Sequence, residues 1–517
     1  MKVCFIRPPY VELRYQMVAL PVPPIGFAYV AAAARAAGHE VVALDAIGEA
    51  PDQVTPLDEH RFACRGLTVE QLMERVPTDA EAFAVSVMFS QDWAYVRRIT
   101  LALKERFPDV PIIAGGEAVS ALPEYSIETG NVDHAVLGEG EETIVDLLDA
   151  IANRRSTAEV PGLVTRIGDQ LVRTAPRQRI RDIDAVSRPA WDLFPIENYL
   201  SRGLSFGVNR GRTMPILATR GCPYRCTFCS SPTMWTTRWT ARDPAEVLAE
   251  IAEYQRVYDA NSFDFYDLTA IIKRDWILEF CRLIQERGMK FVWQLPTGTR
   301  SEAIDADVAK ALYATGCRNI TYAPESGSPA ELRRIKKKVK IPTMLDSMRA
   351  CAREGVKVKA NLVLGFPGQT AADLLHTYVF LVRMAVAGVS DALVFLFEPY
   401  PGSELYDQLR EQGRLPPPSD EYFLALMCGH DLSKGSSFTD HLSARQLGVA
   451  RITAMIVFYA ASYTIRPWRA FQNVFHIVTG RHETLLEKGL FNMLQRRLGV
   501  GASKNAVAEL PPARKAA

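Results

Sequence analysis

Net charge is almost absent. The 517 residues carry 60 Lys and Arg against 59 Asp and Glu, a formal charge of +1. That balance supplies no overall field to draw in nucleic acid, so no nucleic-acid partner is expected. Long apolar runs are lacking too. No helix-forming stretch of 18 charge-free apolar residues occurs, and no transmembrane helix is expected. Cysteine is sparse and odd in number, nine in all, and no signal peptide precedes the strand-like run Lys2–Ile6. A secreted disulfide framework is therefore not expected, and a reduced, cytoplasmic compartment is. Internal repeats are missing. What is present is ordinary globular material, 48% hydrophobic and 23% charged, enough for two to four domains with sizeable cores.

Residues 1–150 alternate strand-like runs (Val3–Ile6, Val41–Leu44, Ala82–Val87, Pro111–Ala114, His134–Leu137) with helical segments. Buried strands alternating with helices predict a parallel, doubly wound, Rossmann-like α/β domain. Ligands of such sheets sit beyond the strands' carboxyl ends. Those ends carry Arg7-Pro8-Pro9, Phe89-Ser90-Gln91, Gly115-Gly116-Glu117 and Gly138-Glu139-Gly140. Residues 151–205 read as a connector, with the Pro-bounded aromatic segment Ser187–Pro195 as a clamp between domains. Residues 206–410 resume the strand–helix rhythm with six strand candidates, fewer than a closed barrel needs. A partial (β/α)6 barrel is expected. Residues 411–517 are mostly helical, with Ile452, Met455, Ile456 and Tyr459 as one apolar face. The tail from Gly501 is expected to fray.

Three cysteines lie within eight residues. Cys222-Pro223-Tyr224-Arg225-Cys226-Thr227-Phe228-Cys229 has C-x3-C-x2-C spacing and follows the first strand of the second domain. Thiolates suit zinc or iron–sulfur centres. A closed zinc site needs a fourth ligand, yet the next cysteine is Cys281. Three thiolates on an iron–sulfur cluster leave one metal position open. Cys4, Cys64, Cys281, Cys317, Cys351 and Cys428 show no further ligand spacing and read as small buried hydrophobes.

The segment resembles the radical S-adenosylmethionine (SAM) superfamily, whose mark is C-x3-C-x2-C after the first barrel strand. The likeness extends to Arg300–Asp305, Gly316-Cys317, Glu325-Ser326-Gly327-Ser328, Leu364–Gly368 and Pro399–Tyr406, in the family's order. The N-terminal part, with Pro23-Pro24-Ile25-Gly26, Gly115-Gly116-Glu117 and Gly138-Glu139-Gly140-Glu141, looks like the cobalamin-binding domain of one large subgroup. By this resemblance Cys222, Cys226 and Cys229 ligate a 4Fe–4S cluster, and the fourth iron chelates SAM. Phe228 would pack on adenine, or simply in the core. Glu325, with Ser326, would bind the SAM ribose or amino group; capping of the next helix is the alternative. Gly365 and Gly368 would let backbone approach adenine, unless they only make a turn. Asp264 and Asp267 match the family's acidic pair poorly, because Tyr266 interrupts them. Gly115, Gly116, Gly138 and Glu139 would line the cobalamin side. The basic run Arg333–Lys340 reads as a solvated helix face and its exit.

The histidine-bearing signature that many cobalamin domains carry after the first strand is missing, as is common in this subgroup, and Asp58-Glu59-His60 is a coincidental match. The resemblance therefore implies base-off cobalamin with no histidine ligand. An electron donor such as flavodoxin or ferredoxin is implied as well. The implied activity is cobalamin-dependent methyl transfer from SAM to an unactivated carbon of a small-molecule or lipid-like substrate. A cyclase or oxidoreductase without methyl transfer, of the anaerobic magnesium-protoporphyrin ester cyclase kind, is the alternative. A non-enzymatic metal scaffold is a third reading; a methylthiotransferase is not expected, because that family has a second cysteine set in its N-terminal domain, where this chain has only Cys4 and Cys64. Residues 447–475 combine apolar and aromatic side chains with Arg466 and Arg469. They are expected to cover the barrel or to touch a membrane surface peripherally.

Overall fold

The chain is described by a computed structural model over residues 1–13, 21–57, 61–300, 302–427 and 436–498. Asp58-Glu59-His60, Cys428 and the tail from Gly501 lie outside them. All five expected N-terminal strands form, and they run parallel. Their order across the sheet is Glu40–Asp45, Lys2–Arg7, Ala82–Ser86, Ile112–Gly115, His134–Val136. The winding reverses between Lys2–Arg7 and Ala82–Ser86, which opens a ligand crevice at their carboxyl ends. Val3, Cys4, Phe5 and Ile6 are all 0% exposed. Helices cover both faces, so these strands read as continuous apolar runs.

The connector contributes more than a link. Leu163–Ile167 and Gln170–Arg173 form an antiparallel hairpin that extends the sheet beyond His134–Val136. A separate antiparallel trio, Tyr10–Leu13, Phe62–Arg65 and Val54–Pro56, was not legible, because each run is too short to show a period. Ser187–Pro195 does fasten the two domains. Trp191 Nε1 donates to Tyr254 Oη at 2.9 Å, and Ala190 N donates to Ala28 O at 3.1 Å.

Six parallel strands follow in chain order: Thr213–Ile216, Ser262–Phe265, Val292–Thr299, Cys317–Glu325, Lys357–Leu364 and Asp391–Leu396. Each pairs with the next through a helical crossover, giving the partial barrel. The helix Ala371–Ala387 begins with a Thr370/Asp373 capping box, which satisfies its first free amides.

The helix Ala444–Ile465 packs along Ala371–Ala387 and the edge strand Asp391–Leu396. Its buried face is Leu447, Ala450, Arg451, Ala454, Phe458 and Ser462. This corrects the expected face, since Ile452 and Ile456 point outward, 44% and 61% exposed. By length and composition this helix is apolar enough to cross a membrane. Here it lies on protein, with Tyr459 Oη donating to Asp391 Oδ1 at 2.5 Å and Tyr378 Oη to Ala450 O at 3.2 Å.

Candidate active site

The cysteine loop is held from several directions. Thr219–Arg220 pairs with Thr240–Ala241, and between strand and cysteines Gly221 takes φ +81°. A Cβ there would lie 2.1 Å from Arg238 O, so only glycine fits. Thr227 N donates to Ile335 O at 3.1 Å, and Leu405 N to Thr227 O at 2.8 Å. Asp267, fully buried, accepts from Ala218 N and from Thr219 Oγ1 at 2.6 Å. The loop therefore leaves the barrel mouth with its backbone restrained.

Cys222, Cys226, Phe228 and Cys229 are all partly exposed, whereas Cys4, Cys64, Cys281, Cys317 and Cys351 are buried. Cys226 feels Cys222, and Cys229 feels both, so the three sulfurs share one neighbourhood. Burial pushes the Cys229 thiol up to about 12 and that of Cys226 upward. Thiols held neutral in this way need a metal's charge to ionise them. Among the described residues no three His, Cys, Asp or Glu side chains are gathered tightly enough to hold a single ion. The donor set, three thiols with one side open, fits an iron–sulfur cluster.

Glu325 ends the fourth barrel strand at φ +65°, in the left-handed region that non-glycine residues seldom adopt. Its Oε1 accepts from Lys337 Nζ at 2.8 Å. Lys337 has a 12% exposed side chain, feels Cys226, and lies 6.0 Å from the Phe228 ring centroid. This corrects the solvated reading of Arg333–Lys340 at one position. Spacing gave no signal for it, because a buried lysine looks like its exposed neighbours in sequence. Phe228 also meets Phe366 at 5.3 Å, and Arg300 stacks on Tyr224 at 3.8 Å.

Other expected residues are otherwise engaged. Ser326 is fully buried and donates to Glu331 Oε2 at 2.5 Å, while Ser328 caps the next helix. Asp264 accepts from Gly207 N and Gln294 inside the barrel, and burial pushes its carboxyl up to about 7. Gly365 N donates to Gln369 Oε1 at 2.8 Å, and Leu447 lies over its Cα.

The glycine loops of the first domain grip the cysteine loop. Glu117, which follows Gly115 and Gly116, accepts from Ser230 next to Cys229. Gly138 N donates to Ser120 Oγ at 3.0 Å, and that hydroxyl contacts Met234 Sδ at 3.4 Å. Glu139 is a correction: its carboxylate is taken by Arg179 (2.9 Å), Arg220 (3.2 Å) and Ile180 N (2.9 Å). Arg220 also holds Glu141 at 2.6 Å and lies 4.9 Å from the Tyr29 ring centroid. Two ion pairs and an aromatic face compensate the buried guanidinium.

At the crevice, Arg7 donates to Tyr199 Oη at 2.5 Å and to Val22 O at 2.7 Å. After the neighbouring strand Ala82–Ser86, Met88 and Phe89 are 46% and 49% exposed, with Phe89 edge-on to Tyr10 at 6.3 Å. Arg7 is also paired with buried Asp45 at 3.5 Å, and the exposed apolar shelf suits one face of a large flat cofactor.

Two family models cover most of this architecture. Residues 16–148 match the B12 binding domain, and residues 216–381 match the radical SAM superfamily. The chain belongs to the cobalamin-binding radical SAM enzymes. It is 26% identical over 408 residues to an uncharacterized methyltransferase of Pyrococcus horikoshii, covering 79% of this chain and 83% of the relative. It is also 26% identical over 385 residues to an anaerobic magnesium-protoporphyrin IX monomethyl ester cyclase of Synechocystis, covering 73% and 71%. Among solved structures, the radical SAM methyltransferase TsrM of Kitasatospora setae, with cobalamin and a [4Fe-4S] cluster bound, shares the fold. The TM-score is 0.63 at 19% identity, over 80% of this chain and 75% of that one. A radical SAM enzyme uses a 4Fe–4S cluster and SAM, and a B12 binding domain adds cobalamin.

Proposed function

We propose that this radical SAM enzyme is a methyltransferase that moves a methyl group from SAM, by way of cobalamin, to an unactivated carbon of a small-molecule or lipid-like substrate. The docking of the cysteine loop on the carboxyl ends of the N-terminal sheet carries this reading, through Ser230–Glu117 and Arg220–Glu139. It sets the radical-generating half and the methyl-carrying half face to face. The cofactors supply one-electron cleavage of SAM and a transferable methyl group. The chain's own residues bind and orient. Cys222, Cys226 and Cys229 ligate the cluster. Phe228 and the Glu325–Lys337 pair hold SAM beside it, and the Gly365 turn backs the adenine. Gly115, Gly116 and Gly138 shape the loops between the two sites. Arg7, Tyr10, Met88 and Phe89 seat the cobalamin.

We read the cobalamin as base-off and without a histidine ligand. Of the described histidines in the first domain, His39 precedes one strand and His134 opens another, both at the sheet's amino edge. Nitrogen superhyperfine splitting in the Co(II) EPR spectrum would contradict this. The working setting is a reducing cytoplasm with a flavodoxin- or ferredoxin-like electron donor. Cyclisation without methyl transfer is the second reading, favoured by the cyclase relative of equal identity. The deciding experiment is anaerobic reconstitution with methyl-labelled SAM, compared with Cys226→Ala. Label in a product made only by the wild type is expected. Formation of 5′-deoxyadenosine with unlabelled product would move the enzyme to the second reading.

A further inference from the structure

Three helices of the barrel's outer side expose apolar residues that no protein segment covers among the described residues. On Ala371–Ala387, Leu375, Val379, Val382 and Val386 are 63%, 53%, 39% and 52% exposed. On Ala444–Ile465, Val449, Ile452 and Ile456 are 59%, 44% and 61% exposed. On Trp468–Thr479, which buries no side chain fully, Trp468, Phe471, Val474, Phe475 and Val478 are 55% to 78% exposed. The three patches adjoin. Val449 and Tyr378 border one groove between the first two helices. Arg466 donates to Ala385 O at 2.6 Å and to Val386 O at 3.1 Å, and Val386 and Trp468 line one cavity. A water-soluble surface rarely leaves so much contiguous apolar area open.

Charge says what covers it. From His441 to His482 there is no Asp or Glu, and Arg445, Arg466, Arg469 and Arg481 lie outside the buried face that holds Arg451, in a chain whose whole excess is +1. From Leu374 to Ser390 the single charged residue is Arg383. The cavity beside Trp468, about 620 Å³, is lined by Arg349, Arg353, Arg466 and Arg469 and also by Glu483 and Glu487. An apolar face bearing Trp and Phe, bordered by arginine, with Glu483 and Glu487 already bonded to Lys357 and His476, is complementary to an anionic bilayer surface.

We propose that this three-helix face docks the enzyme on the surface of an anionic phospholipid bilayer. The proposal is independent of methyl transfer, since binding is read without turnover. The test is co-sedimentation of the iron-loaded full chain with vesicles of phosphatidylcholine alone, or of phosphatidylcholine with phosphatidylglycerol. Binding to the anionic vesicles, weakened by salt, is expected. Phe471→Glu with Val478→Glu should reduce it on the order of tenfold, and so should Leu375→Glu with Val379→Glu on the neighbouring helix. Retained iron content shows that the variants fold. The proposal is overturned if the wild type binds neither vesicle, or if both variants bind as it does. A lipid-free dimer that the same variants dissociate would also overturn it, by assigning the face to a second copy.

Discussion

Glu325 and Lys337 form a pair whose backbone and charge are both constrained. A left-handed glutamate costs about 1–3 kcal/mol and persists only where its surroundings hold it. Lys337→Met would strand the Glu325 carboxylate with little solvent, at an expected cost of about 3–5 kcal/mol. Adding Glu325→Gln should recover most of that stability. It should not recover SAM affinity, which is expected to fall on the order of tenfold, about 1.4 kcal/mol. Thermal melts and calorimetric SAM titration of the iron-loaded proteins separate the two effects. Glu398, just beyond the last barrel strand, gives a pH prediction. Burial pushes its carboxyl from 4.5 up to about 8, against an opposing pull from Arg451. Its native form holds a proton that the unfolded form has lost, so its contribution is complete below pH 4.5 and disappears as pH rises through 8. Glu398→Gln should therefore gain melting temperature relative to wild type between pH 5 and pH 8.5. An unchanged difference across that range would refute the assignment.

The cysteine loop is the element on which the rest depends. Gly221→Ala would press a methyl group against Arg238 O. It should lower iron incorporation well below wild type while leaving the far-UV circular dichroism of the barrel intact. Arg220→Ala removes the shared partner of Glu139 and Glu141, with an expected loss of about 3–5 kcal/mol. Arg220→Met with Glu139→Gln and Glu141→Gln should be milder, as a neutral interface tolerates burial better than orphaned charge. Chemical denaturation of the three forms would rank them. Elements of this kind were legible in sequence to different depths. The parallel strands were, because burial on both faces makes them continuous apolar runs. The C-x3-C-x2-C loop was, because ligand spacing is local. The roles of Glu139 and Lys337 were not, because their partners Arg179 and Glu325 are set by tertiary folding. The apolar face of Ala444–Ile465 was misplaced for a related reason. That helix is apolar on nearly every side, so periodicity could not choose which stripe meets the barrel.

At the scale of the whole molecule, the C-terminal helices complete the open side of the barrel. Ala444–Ile465 covers Ala371–Ala387, and Arg466 and Arg469 bind carbonyls from Ala385 to Ser390. A chain ending before Ser443 would uncover the side of Ala371–Ala387 that carries Tyr378, and is expected to aggregate or lose its cooperative melt. Light scattering and calorimetry of the truncated protein would check this.

The clamp between the domains has a consequence for modular exchange. Arg220 and Ser230 belong to the barrel's cysteine loop, while Glu117, Glu139 and Glu141 come from the cobalamin domain and Arg179 from the hairpin's exit. A chimaera that borrowed its first domain from a relative would therefore inherit half of a charge lock. To assemble, the graft would have to carry all three of those glutamates, or reach that lock with another key of the same sign.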